Sequence, residues 1–381
     1  MANFRWANIS IFRLLNRQEQ TQYLIALSMI PGIGDARIKK LVAYCGGAKE
    51  VFFQSKTFLE KIPNIGGKIA ASVSDKDVLA RAEKELSFSG KHQVEVISFL
   101  DENYPQRLKH CDDAPVVLYK KGKGSINPER VISVVGTRNA TREGKEFTEK
   151  LVEEIATANV TVVSGLAYGI DIAAHKASLK YNIPTIGCLA HGLDRIYPKL
   201  HEKTAKEMLE NVALITDFPI GTNPDRENFP KRNRIVAGMA DATIVVEAAA
   251  KGGALITAEL ANGYNRDVFA VPGRVSDQYS EGCNNLVKYL KASMITSGKD
   301  VLKSMSWDNV ADQKPQPQKK LLIDLTEDQE KVVAVLQKQE HTIDRLSVLA
   351  EMPMSKVATV LLELEFEGVV STLPGKVYKL N

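Results

Sequence analysis

Short aliphatic, β-branched runs recur between residues 94 and 271, and they alternate with longer stretches whose apolar positions return every three or four residues. Val131–Val135 and Val160–Val163 have the length of buried strands. Each ends in a glycine-containing turn and then opens a helical pattern, around Glu143–Ala158 and around Ile170–Tyr181. Further strand-like runs stand at Val94–Ile97, Pro115–Tyr119, Thr185–Leu189, Ala213–Thr216, Ala242–Val246 and Val268–Val271. This alternation predicts a large, doubly wound parallel sheet of the α/β class over residues 91–308, with helices on both faces. Ligands of such sheets collect beyond the carboxyl ends of the strands. Gly136-Thr137-Arg138 and Ser164-Gly165-Leu166-Ala167-Tyr168-Gly169 are therefore expected to share one crevice.

The flanks follow other periods. Residues 1–90 read as an N-terminal all-α module, SAM-like or helix-hairpin-helix-like, in which Ile30-Pro31-Gly32-Ile33-Gly34 and Ile62-Pro63-Asn64-Ile65-Gly66 form similar turns. Backbone amides of such turns can take a phosphate, with Lys68 adding a cation in the second; equally, the pair can serve packing alone. Residues 309–320, rich in Pro, Gln and Lys, read as a linker. Beyond it, Thr326–Gln339, Thr342–Glu351 and Met354–Glu367 read as three helices, followed by a hairpin over Gly368–Leu380, the layout of a winged-helix domain over 321–381. Its third helix carries Lys356 against Glu363, Glu365 and Glu367, which favours protein contact or dimerisation over a DNA groove.

A chain of 381 residues is too long for one ordinary core. The four cysteines, Cys45, Cys111, Cys188 and Cys283, show no metal or redox spacing and read as reduced thiols of a cytoplasmic protein. No apolar run approaches the ~18 residues that span a bilayer. The first eighteen residues, with Arg5, Arg13 and Arg17, read as a helical or frayed extension. The net charge of +4 is unevenly spread: from Leu321 onward ten acids face six Lys/Arg, leaving 44 basic and 36 acidic residues before it. Any nucleic-acid surface is thus expected in the first 320 residues.

Within the crevice, Gly136-Thr137-Arg138 is not a GxGxxG fingerprint, and no phosphate-binding GxxxxGK[ST] loop occurs. Ser164-Gly165 offers amides and a hydroxyl to an anion, and Arg138 a guanidinium. The strongest local signal is Asn228-Phe229-Pro230-Lys231-Arg232-Asn233-Arg234, where three cations and an amide open a helix whose dipole already favours anions. Phe229 can stack on a base. One of Arg232 and Arg234 is expected to be a buried structural cation paired to an acid such as Asp171 or Glu247. A further loop, Lys251-Gly252-Gly253-Ala254-Leu255-Ile256-Thr257, permits close backbone approach and adds a hydroxyl at Thr257. One small nucleotide needs two such loops; a polynucleotide uses all of them. His175 and His191, near Asp171 and Asp194, invite a hydrolase reading, but no nucleophile elbow or metal cluster accompanies them, so they are expected to brace the loops. No cofactor and no metal are expected.

At these residues the chain resembles the DNA-processing protein A (DprA, or Smf) family, through VVGTR, VVSGLAYGIDIAAH, GCLAHGLDRIYP, FPKRNRIVAG, VVEAAAKGGALITAELA, VFAVPGR and EGCNNLV, in family order from about Tyr104 to Leu290. The resemblance implies a non-enzymatic single-stranded DNA-binding protein that protects incoming strands in natural transformation and loads RecA recombinase onto them. It also implies that the doubly wound sheet is an extended Rossmann-like domain and that a homodimer forms through it. By motif position, Arg138 and Phe229–Arg234 match DNA-contacting residues of the family. The chain departs from the family pattern at Tyr168, at Asp217-Phe218-Pro219 and at Gly252-Gly253-Ala254. A rival from another class is a nucleotide phosphoribohydrolase of the lysine-decarboxylase-like (LOG) type, because Gly252-Gly253 and Glu259 keep that family's Gly-to-Glu offset; release of adenine from AMP would separate the two.

Overall fold

The computed structural model describes residues 19–73, 77–308, 325–337, 339–366, 369–373 and 377–380. The expected N-terminal extension and the 309–320 linker lie outside the described residues. Residues up to Val310 form one compact unit and those from Ala311 a second.

The first unit is built on a nine-stranded sheet: β1 (Glu95–Ser98), β2 (Val117–Lys121), β3 (Arg130–Val135), β4 (Val160–Ser164), β5 (Thr185–Cys188), β6 (Ala213–Thr216), β7 (Ala242–Val245), β8 (Asp267–Ala270) and β9 (Ser293–Met294). Their order is β1-β2-β6-β5-β4-β3-β7-β8-β9. From β3 the chain steps outward through β4, β5 and β6, then returns to the other side of β3 with β7, β8 and β9. The order therefore reverses between β3 and β7, which pair in parallel with Ile132 opposite Ala242. A crevice opens at such a switch point because the connections leave it in opposite directions.

Side chains alternate between the sheet faces, so β3 sends Val131 and Val135 into one core and Ile132 and Val134 into another. Burial on both faces explains why these strands read as continuous apolar runs. The sheet is not parallel throughout: β2 runs antiparallel to β6, with Tyr119 opposite Thr216, and β1 antiparallel to β2. Only the short helix Gln106–Lys109 joins β1 to β2, too little for the crossover that a parallel pair needs.

The N-terminal helices share a core with this sheet edge, Leu24, Leu41 and Leu59 packing in one cluster with Val116, Val117 and Tyr119. Both Ile-Pro turns bury their isoleucines, Ile30, Ile33, Ile62 and Ile65. A carboxylate marks the joint: Glu85, on the Asp77–Lys91 helix, accepts the amide of Ile220 at 2.9 Å. Burial pushes that carboxyl up to about 7.

The second unit has helices Glu327–Leu336, Ile343–Leu349 and Met354–Phe366, and a three-stranded sheet ordered β10 (His341–Thr342), β12 (Val377–Leu380), β11 (Val370–Leu373). Thr326 and Gln329 cap the first helix reciprocally. Three helices with a β wing make this a winged-helix fold. Its third helix buries Val357, Val360, Leu361 and Leu364, and turns Leu362, Glu363, Glu365 and Phe366 outward. Lys356 there is paired to Asp328 at 2.6 Å. Among the described residues no helix is long and apolar enough to cross a membrane.

Candidate nucleic-acid interface

The turn after β3 is held from two sides. The amide of Thr137 donates to the main-chain oxygen of Glu247 at 2.7 Å, and the Glu247 carboxylate accepts the Thr141 amide at 2.9 Å and the Thr141 hydroxyl at 2.5 Å. Between these anchors Arg138 projects into solvent. The turn after β4 packs on the same segment. Gly169 has φ +79°, and a Cβ there would strike the Thr137 carbonyl, so only glycine lets the two turns touch.

Facing them is the Asn228–Gly238 helix. Its first turn presents Phe229 to the cleft, and the Arg138 guanidinium lies over the Phe229 ring, 4.4 Å from the centroid. Such a contact is worth roughly 0.5–2 kcal/mol and leaves the cation's edge free for an anion. Lys231 is exposed on a helix start whose amides already attract negative charge. Tyr197 packs 6.4 Å from Phe229, and Tyr168 edges against His201 at 5.0 Å. Both tyrosines are 43% exposed, so their faces remain free to stack. Tyr197 was not singled out from sequence; an aromatic residue just before the proline of a loop at a strand end was the available signal.

The cleft occupies about 1010 Å³, and its wall includes Arg138, Gly165, Phe229, Arg232, Gly252 and Gly253. Four turns expected to meet at one sheet edge do meet there. Gly252 and Gly253 are exposed, and a Cβ on Gly252 would meet open space, so nothing obstructs a close ligand approach to that backbone.

Several expected contacts turn inward and are corrected here. The Ser164 hydroxyl is fully buried and donates to the Val134 carbonyl at 2.6 Å, satisfying a strand end. The Thr257 hydroxyl donates to the Gly253 carbonyl at 3.2 Å within its own helix. Asn233 spends its amide on the same carbonyl, also at 3.2 Å, tying the two cleft helices together. Arg234 is a structural cation: its guanidinium pairs with Asp217 and with Asp35 at 3.1 Å, and donates to the Asp113 carbonyl. Burial pushes the Asp217 carboxyl up, and the Arg234 charge pulls it back. The partners are thus Asp217 and Asp35 rather than Asp171 or Glu247.

Arg232 is also buried. It donates to the Cys188 carbonyl at 2.6 Å and lies so close over Gly165 that a side chain there would collide with it. Asp171, whose carboxyl burial pushes up, supports this charge from nearby. The Arg232 Nε finds no hydrogen-bond partner among the described residues. Beneath the exposed cations the cleft therefore has a desolvated cation in its wall.

The histidines brace the fold. His175 is fully buried against the Thr185 hydroxyl at 2.7 Å, and burial drives its ring down to about 3. His191 Nδ1 pairs with the Gly192 carbonyl at 2.9 Å, while Nε2 accepts the Tyr197 amide at 3.3 Å and so helps hold that ring at the cleft. Glu259 is exposed and paired with Lys291 at 3.2 Å. No group of three or more potential metal ligands occurs among the described residues.

A mostly parallel sheet with an open, cation- and aromatic-lined cleft at its switch point defines a Rossmann-type fold, here carrying helical and winged-helix additions. Residues 95–306 match the family model described as DNA recombination-mediator protein A, and residues 314–376 match the DprA winged helix domain. The chain belongs to the DNA recombination-mediator protein A family. Protein Smf of Synechocystis is 30% identical over 94% of this chain and 98% of its own. The X-ray structure of DNA processing protein A from Streptococcus pneumoniae superposes with a TM-score of 0.65 at 32% identity, covering 74% of this chain and 97% of that one. DNA processing protein A from Helicobacter pylori, a structure described for its single-stranded DNA binding mode, gives a TM-score of 0.52 at 28% identity over 57% and 97%.

Proposed function

We propose that this chain binds single-stranded DNA along the switch-point cleft, shields incoming strands during transformation and passes them to a RecA recombinase. The observation that carries the reading is the Arg138–Phe229 stack at a helix N-terminus, a cation and a ring on one cleft wall, with Lys231 exposed on the same helix start. Phosphates would run past Arg138, Lys231 and the open Gly252-Gly253 backbone. Bases would stack on Phe229, Tyr197 and Tyr168, which a duplex, with its bases turned inward, cannot do. Arg232 adds charge from below, where Gly165 leaves room for its guanidinium, and Gly169 lets the two turns that shape the wall touch. Membership of the family and the single-stranded DNA binding mode for which the Helicobacter pylori relative is described support the same ligand class. A homodimer through the sheet unit fits the exposed Tyr289, Leu290 and Met294 beside edge strand β9.

The test is a salt-dependent titration with a hairpin-free single strand and its duplex. We expect tighter single-strand binding, with Arg138→Ala plus Lys231→Ala flattening the plot of log K against log salt by about 1.4, from about 0.7 per phosphate contact. Equal affinity for both forms, or a folded double variant with the parent's slope, would place the DNA elsewhere.

A further inference from the structure

A second groove lies behind the loop that carries Tyr197. It occupies about 400 Å³, floored by Leu193, Ile196, Ala205, Leu209 and Leu214 and rimmed by Lys121, Arg195, Lys199 and Lys206. The floor is the outer side of a small core whose members Leu166, Leu189 and Met208 are fully covered, whereas Leu193, Ile196 and Leu209 are only half-buried. Apolar surface left open inside a charged rim is the composition of a binding groove.

Its electrostatics are one-sided. The two acids of the rim are already answered, Asp194 by Arg195 at 2.9 Å and Glu202 by Lys206 at 2.9 Å. Lys121 and Lys199 make no ion pair among the described residues. Lys199 also acts on Glu202 through space, but neither ammonium is held in such a pair, so both remain available beside an aliphatic trough. This differs from the DNA cleft in kind, because no aromatic ring lines it for a base and no glycine pair opens its backbone to a phosphate.

We propose that this groove docks an acidic peptide segment of a partner protein, one that places aliphatic or aromatic side chains on Leu193, Ile196 and Leu209 and carboxylates against Lys121 and Lys199. Apolar burial supplies affinity, and the charges supply selection and encounter rate. The inference does not depend on the ligand of the switch-point cleft. The two sites share the segment Leu193–Lys199, with Tyr197 on the cleft and Ile196 on the groove, so a docked partner would sit directly behind the cleft wall.

The probe is a fluorescent peptide alternating Asp and Glu with Leu and Phe, followed by anisotropy on the full chain. We expect saturable binding that disappears when the peptide's Leu and Phe become Ser. Lys121→Glu plus Lys199→Glu should weaken it about tenfold or more with single-strand affinity retained, and Lys199→Glu alone should act in the same direction. Absent binding, equal binding of the Ser peptide, or variants that bind the peptide like the parent would each overturn the proposal. A parallel loss of single-strand affinity would also overturn it, by making the groove part of the nucleic-acid surface.

Discussion

At the cleft of the sheet unit, Arg138 and Phe229 reach solvent at a helix N-terminus on which Lys231 is also exposed; on the third helix of the winged-helix unit the outward positions are Leu362, Glu363, Glu365 and Phe366. Both architectures occur in proteins that hold nucleic acids, yet the two surfaces invite different partners. The lone cation of that third helix, Lys356, is held by Asp328 at 2.6 Å, whereas Arg138 keeps its edge free above a ring. Fold class thus says where a partner can sit, and the outward side chains say which partner. The contrast repeats within four residues of the Asn228–Gly238 helix, where Lys231 faces solvent and Arg234 faces two carboxylates.

The largest effect is expected at Arg234. Arg234→Ala strands Asp35 and Asp217 without their cation, and removing one member of a buried pair costs about 3–5 kcal/mol. Denaturant unfolding should show that loss, while Arg138→Ala leaves the midpoint near the parent's. A stable Arg234→Ala that loses only DNA binding would erase the inward–outward distinction. Next, Phe229→Ala should weaken single-strand binding by roughly 1–3 kcal/mol without altering its salt slope, since stacking releases no counterions. A flattened slope would mean that the ring acts only by positioning Arg138.

A smaller, pH-dependent effect is expected at Glu85. The native chain keeps this proton up to about 7, whereas an unfolded carboxyl releases it near 4.5. Between those values the native state holds more protons, so stability falls as pH rises. Glu85→Gln should lack this part of the slope, read from unfolding midpoints across that window. Identical slopes in parent and variant would show that the carboxyl is solvated. The smallest change concerns the tail: deletion of residues 309–381 should alter single-strand affinity by less than about tenfold, ~1.4 kcal/mol. A greater loss would show that the acidic winged helix serves the nucleic acid after all.

Much of the sheet is legible because its strands are buried on both faces and are dominated by aliphatic residues, as β3, β4 and β6 show. Strand β9 was not, because Ser293 and Met294 are two exposed residues with no pattern to read. The antiparallel edge was hidden because periodicity reports a strand and not its direction. The cleft was legible as a set of turns, since glycines and cations at strand ends have few other uses. Which cation faces outward was not. Successive helical residues turn by about 100°, and whether a given direction is solvent or protein depends on Asp35, some two hundred residues earlier in the chain. The hydroxyls of Ser164 and Thr257 failed for a related reason: a nearby carbonyl is as good a partner as a phosphate and is always present.

The clamp that Glu247 places on the Arg138 turn has a topological consequence. Both anchors of that turn are tied down at the sheet, and the cleft's far rim, Lys251 to Gly253, lies open to solvent. Among the described residues of the sheet unit, a trough with one fixed wall and an open rim would admit a chain sideways, at any point along its length. On this arrangement a polynucleotide needs no free end to be captured, and a covalently closed circle should be held as firmly as a linear strand of the same composition. A protein built this way can settle on the middle of a strand whose ends are still engaged elsewhere.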